Sequence, residues 1–388
     1  FYLLLLVATV LVLVAAFSSL IAYRFGAPLL LLFLVIGLAA GVDGLGIEFT
    51  NNPLAYMLGS LVLAVILFDS GFGTSIQSFR LSAAPAMALA TVGVILTSVF
   101  FAGAAALLLG LSWLEGLLLG AIVASTDAAA VFFLLRIGGI HIRDQVRSTL
   151  EVESGTNDPM AIFLTVALVE IIAKGQGLSG IDSGFLLLFV EEMGLGVIFG
   201  VLGGLMIATV VNRFAADRGL APIFVLALAL LVFSFTGTIG GSGFLAVYVA
   251  GIVAGNRRIF AKETIRRFHE GLTWLAQIIM FLMLGLLATP SQFPAIAIPA
   301  ILLALFLIFV ARPLAVWLSL MPFNYTQQET SFVAWVGLRG AVSILLAIMP
   351  ILGGLDDAQI YFNAAFIIVL VSLLVQGWTI KPVATRLG

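Results

Sequence analysis

The segment Leu150-Glu151-Val152-Glu153-Ser154-Gly155-Thr156-Asn157-Asp158-Pro159 sets carboxylates, an amide and hydroxyls at the head of an apolar run, Met160 to Ile172. If that run lies in lipid, the polar groups are at lipid depth too. A charge near the bilayer centre costs roughly 2.5–3.5 kcal/mol on insertion scales, so it marks an ion path or a site by default. Thr126-Asp127 falls inside a second apolar run, Leu117 to Leu135, and Arg339 inside a third, Phe332 to Ile351. Two acidic segments and one basic segment meeting inside a bilayer point to an ion path.

Asp158 is the first candidate for that path. A desolvated carboxylate holds a proton more readily, so it can bind a proton or a cation and release one for the other. Pro159 has no N–H to give and loosens the local hydrogen-bond ladder, which frees carbonyl oxygen. Ser154 and Asp158 are spaced i, i+4 and share one helix face. Asp127 has two readings. It neutralises the partial charge of exposed helix N-termini, with Thr126 lending a hydroxyl or carbonyl to the ion, or it is itself a charged ligand. Glu153 and Arg339 read as a buried ion pair, since an unpartnered buried Arg is very costly. Asp69 and Arg312 are read as a structural or gating pair. Glu151, Asp43 and Asp356-Asp357 read as solvated helix ends.

The elements around these residues follow from composition. Of 388 residues, 62% are hydrophobic and 9% are charged. A soluble chain carries about 25% charged residues, so this is an all-α polytopic membrane protein. A net charge of -2 with no basic tail gives no reason to expect nucleic acid. Cysteine is absent, which excludes disulfides and thiolate chemistry. His141 and His269 both read as loop residues, so no intramembrane metal centre or cofactor is expected. The apolar start, up to Ala22, lacks a charged leader and reads as a transmembrane helix rather than a signal peptide.

A span needs about 20 apolar residues. The sequence offers thirteen such windows, roughly 2–22, 27–42, 54–74, 84–109, 113–137, 148–173, 184–212, 219–237, 242–256, 268–288, 294–320, 329–352 and 359–381. With thirteen spans, fourteen loop Lys and Arg residues, from Arg24 to Arg386, fall on one side and only Lys174 on the other. Positive residues face the cytoplasm, so the N-terminus is expected outside and the C-terminus inside. Thirteen spans suit two inverted six-helix repeats joined by one more. The fifth element of each is interrupted, by Ala124-Ser125-Thr126-Asp127 and by Gly337-Leu338-Arg339-Gly340. Interruptions at corresponding places of two halves point to a transporter's midplane site. The glycine spacings Gly37/Gly41, Gly196/Gly200/Gly204 and Gly251/Gly255 read as close helix packing within the chain.

Thr126-Asp127 in a broken span, Glu153-Ser154 ahead of Asn157-Asp158, and Gly337-Leu338-Arg339-Gly340-Ala341-Val342-Ser343 together resemble the monovalent cation:proton antiporter superfamily. The similarity is greatest to its NhaP-like branch, related to the sodium/proton exchangers, and covers essentially the whole chain. The resemblance implies a fold with crossed discontinuous helices and elevator-type alternating access; Asn157 beside Asp158 leaves one carboxylate to alternate between proton and cation, so exchange is expected to be electroneutral. The resemblance makes Asp158 the cation and proton carboxylate, with Ser154 and the Thr126 main chain as further ligands. Asp127 would balance the crossed helices, Asn157 would hold the crossing and Glu153 would pair with Arg339. A scaffold of about 1–81 and 183–288, with the span at 184–212 as linker, would form a homodimer. The mobile core would be about 82–175 and 292–388. Glu-Ser-Gly-Thr-Asn-Asp-Pro departs from the commoner Glu-Ser-Leu-x-Asn-Asp form and is similar to bacterial potassium/proton antiporters of the inner membrane. Members of that branch usually continue into a cytoplasmic regulatory domain, which lies outside this chain. Sodium (or lithium)/proton exchange is the alternative.

A cation channel is a remote rival, for the sequence has no filter loop of the Thr-Val-Gly-Tyr-Gly kind. A serine-type intramembrane protease needs a membrane-embedded His, and an aspartyl type needs two facing Asp in its own motif. Neither pattern is present, so no enzyme is expected.

Overall fold

The computed structural model describes residues 2–25, 28–214 and 217–387, with the backbone alone for residue 4 and residues 21–25. The side chain of Arg24, which entered the count of positive residues, lies outside the described residues, as do Phe1, Gly388 and the start of the window at 27. Among the described residues the regular structure is entirely helical. In chain order the helices are α1 (Tyr2–Phe25), α2 (Leu29–Ala40), α3 (Asn52–Gly73), α4 (Ile76–Ala88), α5 (Val94–Leu109), α6 (Trp113–Ala124), α7 (Ala128–Ile137), α8 (Asp144–Ala173) and α9 (Ser183–Phe214). They continue with α10 (Ala221–Thr238), α11 (Gly243–Gly255), α12 (Lys262–Leu287), α13 (Ala297–Phe306), α14 (Arg312–Leu320), α15 (Gln327–Trp335), α16 (Ala341–Leu346), α17 (Met349–Leu352) and α18 (Gln359–Leu387).

Eight of the described helical stretches are long and apolar enough to cross a membrane, and α6 with α7, bent by 41°, makes a ninth. Leu5–Leu20, Leu29–Ala40, Gly243–Gly255 and Ala341–Leu352 are shorter apolar helices. With no water in lipid, every backbone N–H and C=O must bond within the segment, and helices do this. Breaks in a helix are therefore tolerated only where protein or a cavity surrounds them.

Two long stretches change register without breaking. α4 and α5 are joined by a π-helical turn, Leu89–Gly93, and α13 and α14 by another, Leu307–Ala311. The second widens the ladder so that the Arg312 N–H reaches back to the Leu307 carbonyl. Such turns reorient the side chains that follow and recur at functional sites; here the side chain that follows is Arg312.

α9 packs on α11, α11 on α3, and α12 on α2 and α3; separately, α4 packs on α8, α5 on α6, α6 on α8 and α13 on α18. Close helix contact uses the glycine stripes inside the chain. A Cβ at Gly251 would meet the Phe68 carbonyl at 2.4 Å, and one at Gly37 the Leu282 carbonyl at 2.4 Å. His269, expected in a loop, is fully buried in α12 with its ring beside Phe68 and Phe268. The loop reading failed because α12 starts at Lys262, so the charged stretch Arg266-Arg267 is already helical.

Candidate functional site

The site is built on two helices that stop halfway. α6 and α15 each begin with a capping box: Ser112 takes the Glu115 N–H and Glu115 takes the Ser112 N–H, and Thr326 and Glu329 do the same. Each half-helix is thus terminated locally, as a short independent helix requires. α6 ends at Ala124, because Ser125, Thr126 and Asp127 offer the backbone side-chain alternatives to the helical ladder. Asp127 is extended (φ -107, ψ 95) and caps α7, accepting from the Ala130 N–H at 3.1 Å. α15 ends at Trp335, before Gly337 and Gly340.

The two breaks cross. The Asp127 N–H donates to the Leu338 carbonyl at 2.7 Å. A Cβ at Gly340 would sit 2.8 Å from Asp127 Oδ2, and one at Gly337 would sit 2.9 Å from Arg312 Nε. These glycines are there because side chains of other helices occupy the Cβ positions. Asp127 therefore serves α7 directly and lies against the start of α16.

The opposite helix ends present carbonyls, and cations or amides meet them. Arg339 is 1% exposed and donates through Nη1 to the Ala124 carbonyl at 2.5 Å and the Ser125 carbonyl at 3.0 Å. A positive group at a helix C-terminus offsets the partial negative charge there. The end of α15 is handled from α18. Gln376 donates to the Trp335 carbonyl at 2.6 Å, Ser372 donates to Gln376 Oε1 at 2.5 Å, and the Arg339 N–H donates to Ser372 Oγ at 3.0 Å.

The expected pairing of Glu153 with Arg339 is corrected. Glu153 makes its ion pair with Arg312, at 2.6 Å, and both side chains are buried. The expected pair of Asp69 with Arg312 is corrected by the same contact, since Asp69 instead accepts from Thr273 Oγ1 at 2.8 Å. The physical reason is the π-turn before Arg312, which aims that guanidinium at α8, while Arg339 is engaged by the carbonyl end of α6. Asp69 lies on α3 and meets α12.

α8 runs unbroken for 30 residues through Pro159. Pro159 gives no N–H to the Gly155 carbonyl. The polar face of α8 then meets the first break. Ser154 Oγ donates to the Thr126 carbonyl at 3.0 Å and accepts from the Ala128 N–H at 3.2 Å. Asn157 is fully buried and donates to Thr126 Oγ1 at 2.7 Å. Asp158, 7% exposed, accepts from Ser125 Oγ at 2.5 Å. Ser125 had no role in the sequence reading; its signal was only its place in Ala124-Ser125-Thr126-Asp127.

A cavity of about 460 Å³ opens onto Asp158, with Ser125, Thr126, Asp127 and Ser154 on one wall and Asp69, Thr273, Met280 and Phe281 on the other. Arg136, Arg147, Arg266 and Glu270 also line it. A small cation entering from the charged end meets oxygen donors: a carboxylate, hydroxyls and a main-chain carbonyl. Hard monovalent and divalent cations favour such donors.

The sequence profile of the sodium/hydrogen exchanger transmembrane family matches residues 9–386. The chain is 48% identical over 380 residues to the K(+)/H(+) antiporter NhaP of Alkalimonas amylolytica, and 46% identical over 381 residues to the K(+)/H(+) antiporter NhaP2 of Shewanella sp. (strain ANA-3). Each match takes in 98% of this chain and 66% of the relative, so the chain spans just under two thirds of their length. It is 29% identical to the Na(+)/H(+) antiporter ApNhaP of Aphanothece halophytica, over 97% of this chain and 72% of that protein. Its fold matches the structure of the sodium proton antiporter MjNhaP1 of Methanocaldococcus jannaschii at pH 8, with a TM-score of 0.82 at 23% identity, covering 97% of this chain and all of that one.

Proposed function

Because the chain belongs to the sodium/hydrogen exchanger family, we propose that it exchanges a monovalent cation, potassium by preference, for protons at Asp158. One observation carries the reading. Of the carboxylates around the crossing, Asp127 is engaged as the cap of α7 and Glu153 by Arg312, whereas the hydrogen bond to Asp158 comes from a neutral serine hydroxyl. Asp158 is thus the carboxylate left to alternate between proton and cation.

The proton and the cation then compete for one charge, so the exchange is one for one and electroneutral. Ser125, Ser154 and the Thr126 carbonyl supply oxygen around the ion, and Asn157 holds the crossing through Thr126. Both Ser154 and Thr126 are already bonded to each other, yet each oxygen keeps a lone pair for a cation. Potassium is favoured because the relatives at 46–48% identity are named K(+)/H(+) antiporters, and sodium is the alternative because a more distant one is named for sodium.

In the same reading the four shorter apolar helices complete thirteen spans in two inverted repeats. The π-turns Leu89–Gly93 and Leu307–Ala311 fall in corresponding spans of the two halves, as do the two breaks, which supports that symmetry. The core (82–175 and 292–388) moves like an elevator against a scaffold (1–81 and 183–288), which dimerises. The membrane is the bacterial inner membrane, with the arginine-rich face cytoplasmic. The test is dequenching of a pH-sensitive dye in everted vesicles on adding potassium, sodium or lithium. A response to potassium above the others is expected. A stronger sodium response selects the alternative, and no response to any of the three overturns antiport.

A further inference from the structure

Glu151 was read as a solvated helix end, and the structure places it elsewhere. It is half-buried on the wall of the cavity that leads to Asp158, on the same side of α8 as Ser154, Gly155 and Asp158. Residues 151 and 158 lie two turns apart, about 10 Å along the axis. Glu151 Oε1 accepts from Thr74 Oγ1 at 2.9 Å, and Thr74, at the C-terminal end of α3, is 1% exposed. No cationic side chain lies within ion-pair distance of Glu151 among the described residues. Arg147, one turn away, lines the same cavity.

A second observation points at the same place. Tyr248 on α11 is 1% exposed, and its ring lies where a side chain at position 155 would stand: a Cβ at Gly155 would be 2.2 Å from Cε2 and 2.7 Å from the phenol oxygen. That oxygen lies in hydrogen-bonding contact with the Thr74 side chain and near the Glu151 carboxylate, but among the described residues the contact is poorly aligned. A buried hydroxyl whose contact is poorly aligned is under-satisfied, and a ligand at this spot supplies the missing partner. The glycine that departs from the commoner motif is the space Tyr248 fills. Gly155 also keeps a carbonyl that Pro159 cannot satisfy.

We propose that Glu151, with the hydroxyls of Thr74 and Tyr248, is a second site for a monovalent cation, a staging position in which the ion keeps part of its water before moving to Asp158. The inference rests on the antiport reading above. A carboxylate with two neutral hydroxyls, and with Arg147 near it but beyond ion-pair distance, holds a monovalent ion loosely, as a step on a path must. Thr74 and Tyr248 belong to α3 and α11, whereas Glu151 belongs to α8, so the site spans the seam between the two packed groups of helices. A cation there neutralises Glu151 at the place where those groups meet.

The test uses the purified chain in proteoliposomes, with potassium, sodium and lithium as probes, and reads initial proton flux against cation concentration. Glu151→Gln is expected to raise the apparent KM for the transported cation about tenfold, the worth of one partly solvated charge contact, with the effect on KM rather than on the maximal rate. Glu151→Asp should restore most of the loss, and Tyr248→Phe should raise KM less while leaving the ring in the Gly155 gap. A merely structural clasp between Glu151 and Thr74 would lower the melting temperature in Glu151→Gln and Thr74→Val alike and leave KM unchanged; that result overturns the proposal. Equal KM values in all the variants overturn it too. Should the unmodified chain exchange no cation, the antiport reading itself has failed, a different and separately visible outcome.

Discussion

Glu153 on α8 and Arg312 on α14 form an ion pair of 2.6 Å with side chains 1% and 2% exposed, joining two helices whose sequence positions lie 159 residues apart. A pair taken out of water gains little net stability over an apolar replacement, but removing one partner strands the other and costs about 3–5 kcal/mol. Glu153→Gln and Arg312→Met should each lower the melting temperature of the purified protein sharply. The double variant should lose clearly less than the sum of the two. Strict additivity of the losses would mean that the pair does not act as one.

Arg339 has a different partner and so a different signature. Arg339→Gln removes two hydrogen bonds to the carbonyl end of α6, a loss of roughly 2–4 kcal/mol. Combined with Glu153→Gln it should couple far less than Arg312→Met does. A thermal double-mutant cycle measures both couplings, and a larger one with Arg339 than with Arg312 would restore the pairing that the sequence suggested.

The crossing depends on close approach at Gly340. Gly340→Ala drives a methyl to 2.8 Å from the Asp127 carboxylate, and overpacking of that kind costs about 1–3 kcal/mol. Gly271→Ala is the matching control, since nothing lies within 4 Å of a Cβ there. On an exposed helix it should be neutral or gain up to about 1 kcal/mol. Thermal unfolding and exchange rates of the two variants should therefore diverge, and equal behaviour would count against a tight crossing.

How much of this was legible in the residues depends on whether a local rule decided it. The helical, lipid-embedded character followed from composition. The breaks at Ser125–Asp127 and at Gly337–Gly340 followed from residue types that compete with or weaken a helix. The pairing of Glu153 was not legible, because it depends on the register of α14, and a π-turn at Leu307–Ala311 leaves no distinct mark in an apolar sequence. Arg339 sits at the right depth for Glu153, but depth along a span does not say which way a side chain points. Glu151 was misread for a related reason: its distance from the helix start suggested solvent, while α3 and α11 come in from elsewhere in the chain to cover it. The capping boxes Ser112–Glu115 and Thr326–Glu329 are readable from residue type and spacing alone.

Electroneutral exchange is the outcome expected from counting charges at the proposed site. If Asp127 remains a cap and Glu153 remains paired, one carboxylate carries one proton one way or one monovalent cation the other way. Proton and cation compete, so apparent cation affinity should weaken about tenfold per pH unit wherever the site is mostly protonated. In proteoliposomes with the membrane potential clamped by an ionophore for an ion the protein does not carry, the cation gradient at which net flux vanishes should not move with voltage. A shift would mean that a second carboxylate, Asp127 or Glu153, also exchanges protons.

The most direct measurement concerns Asp158 alone. Asp158→Asn keeps the side chain's size and its contact with Ser125 Oγ while removing the charge that a proton or a cation must neutralise. Reconstituted at matched protein density and with an unchanged melting profile, the variant should show no cation-driven proton flux with potassium, sodium or lithium. Retained exchange with any of the three would place the exchanged charge elsewhere and contradict the account.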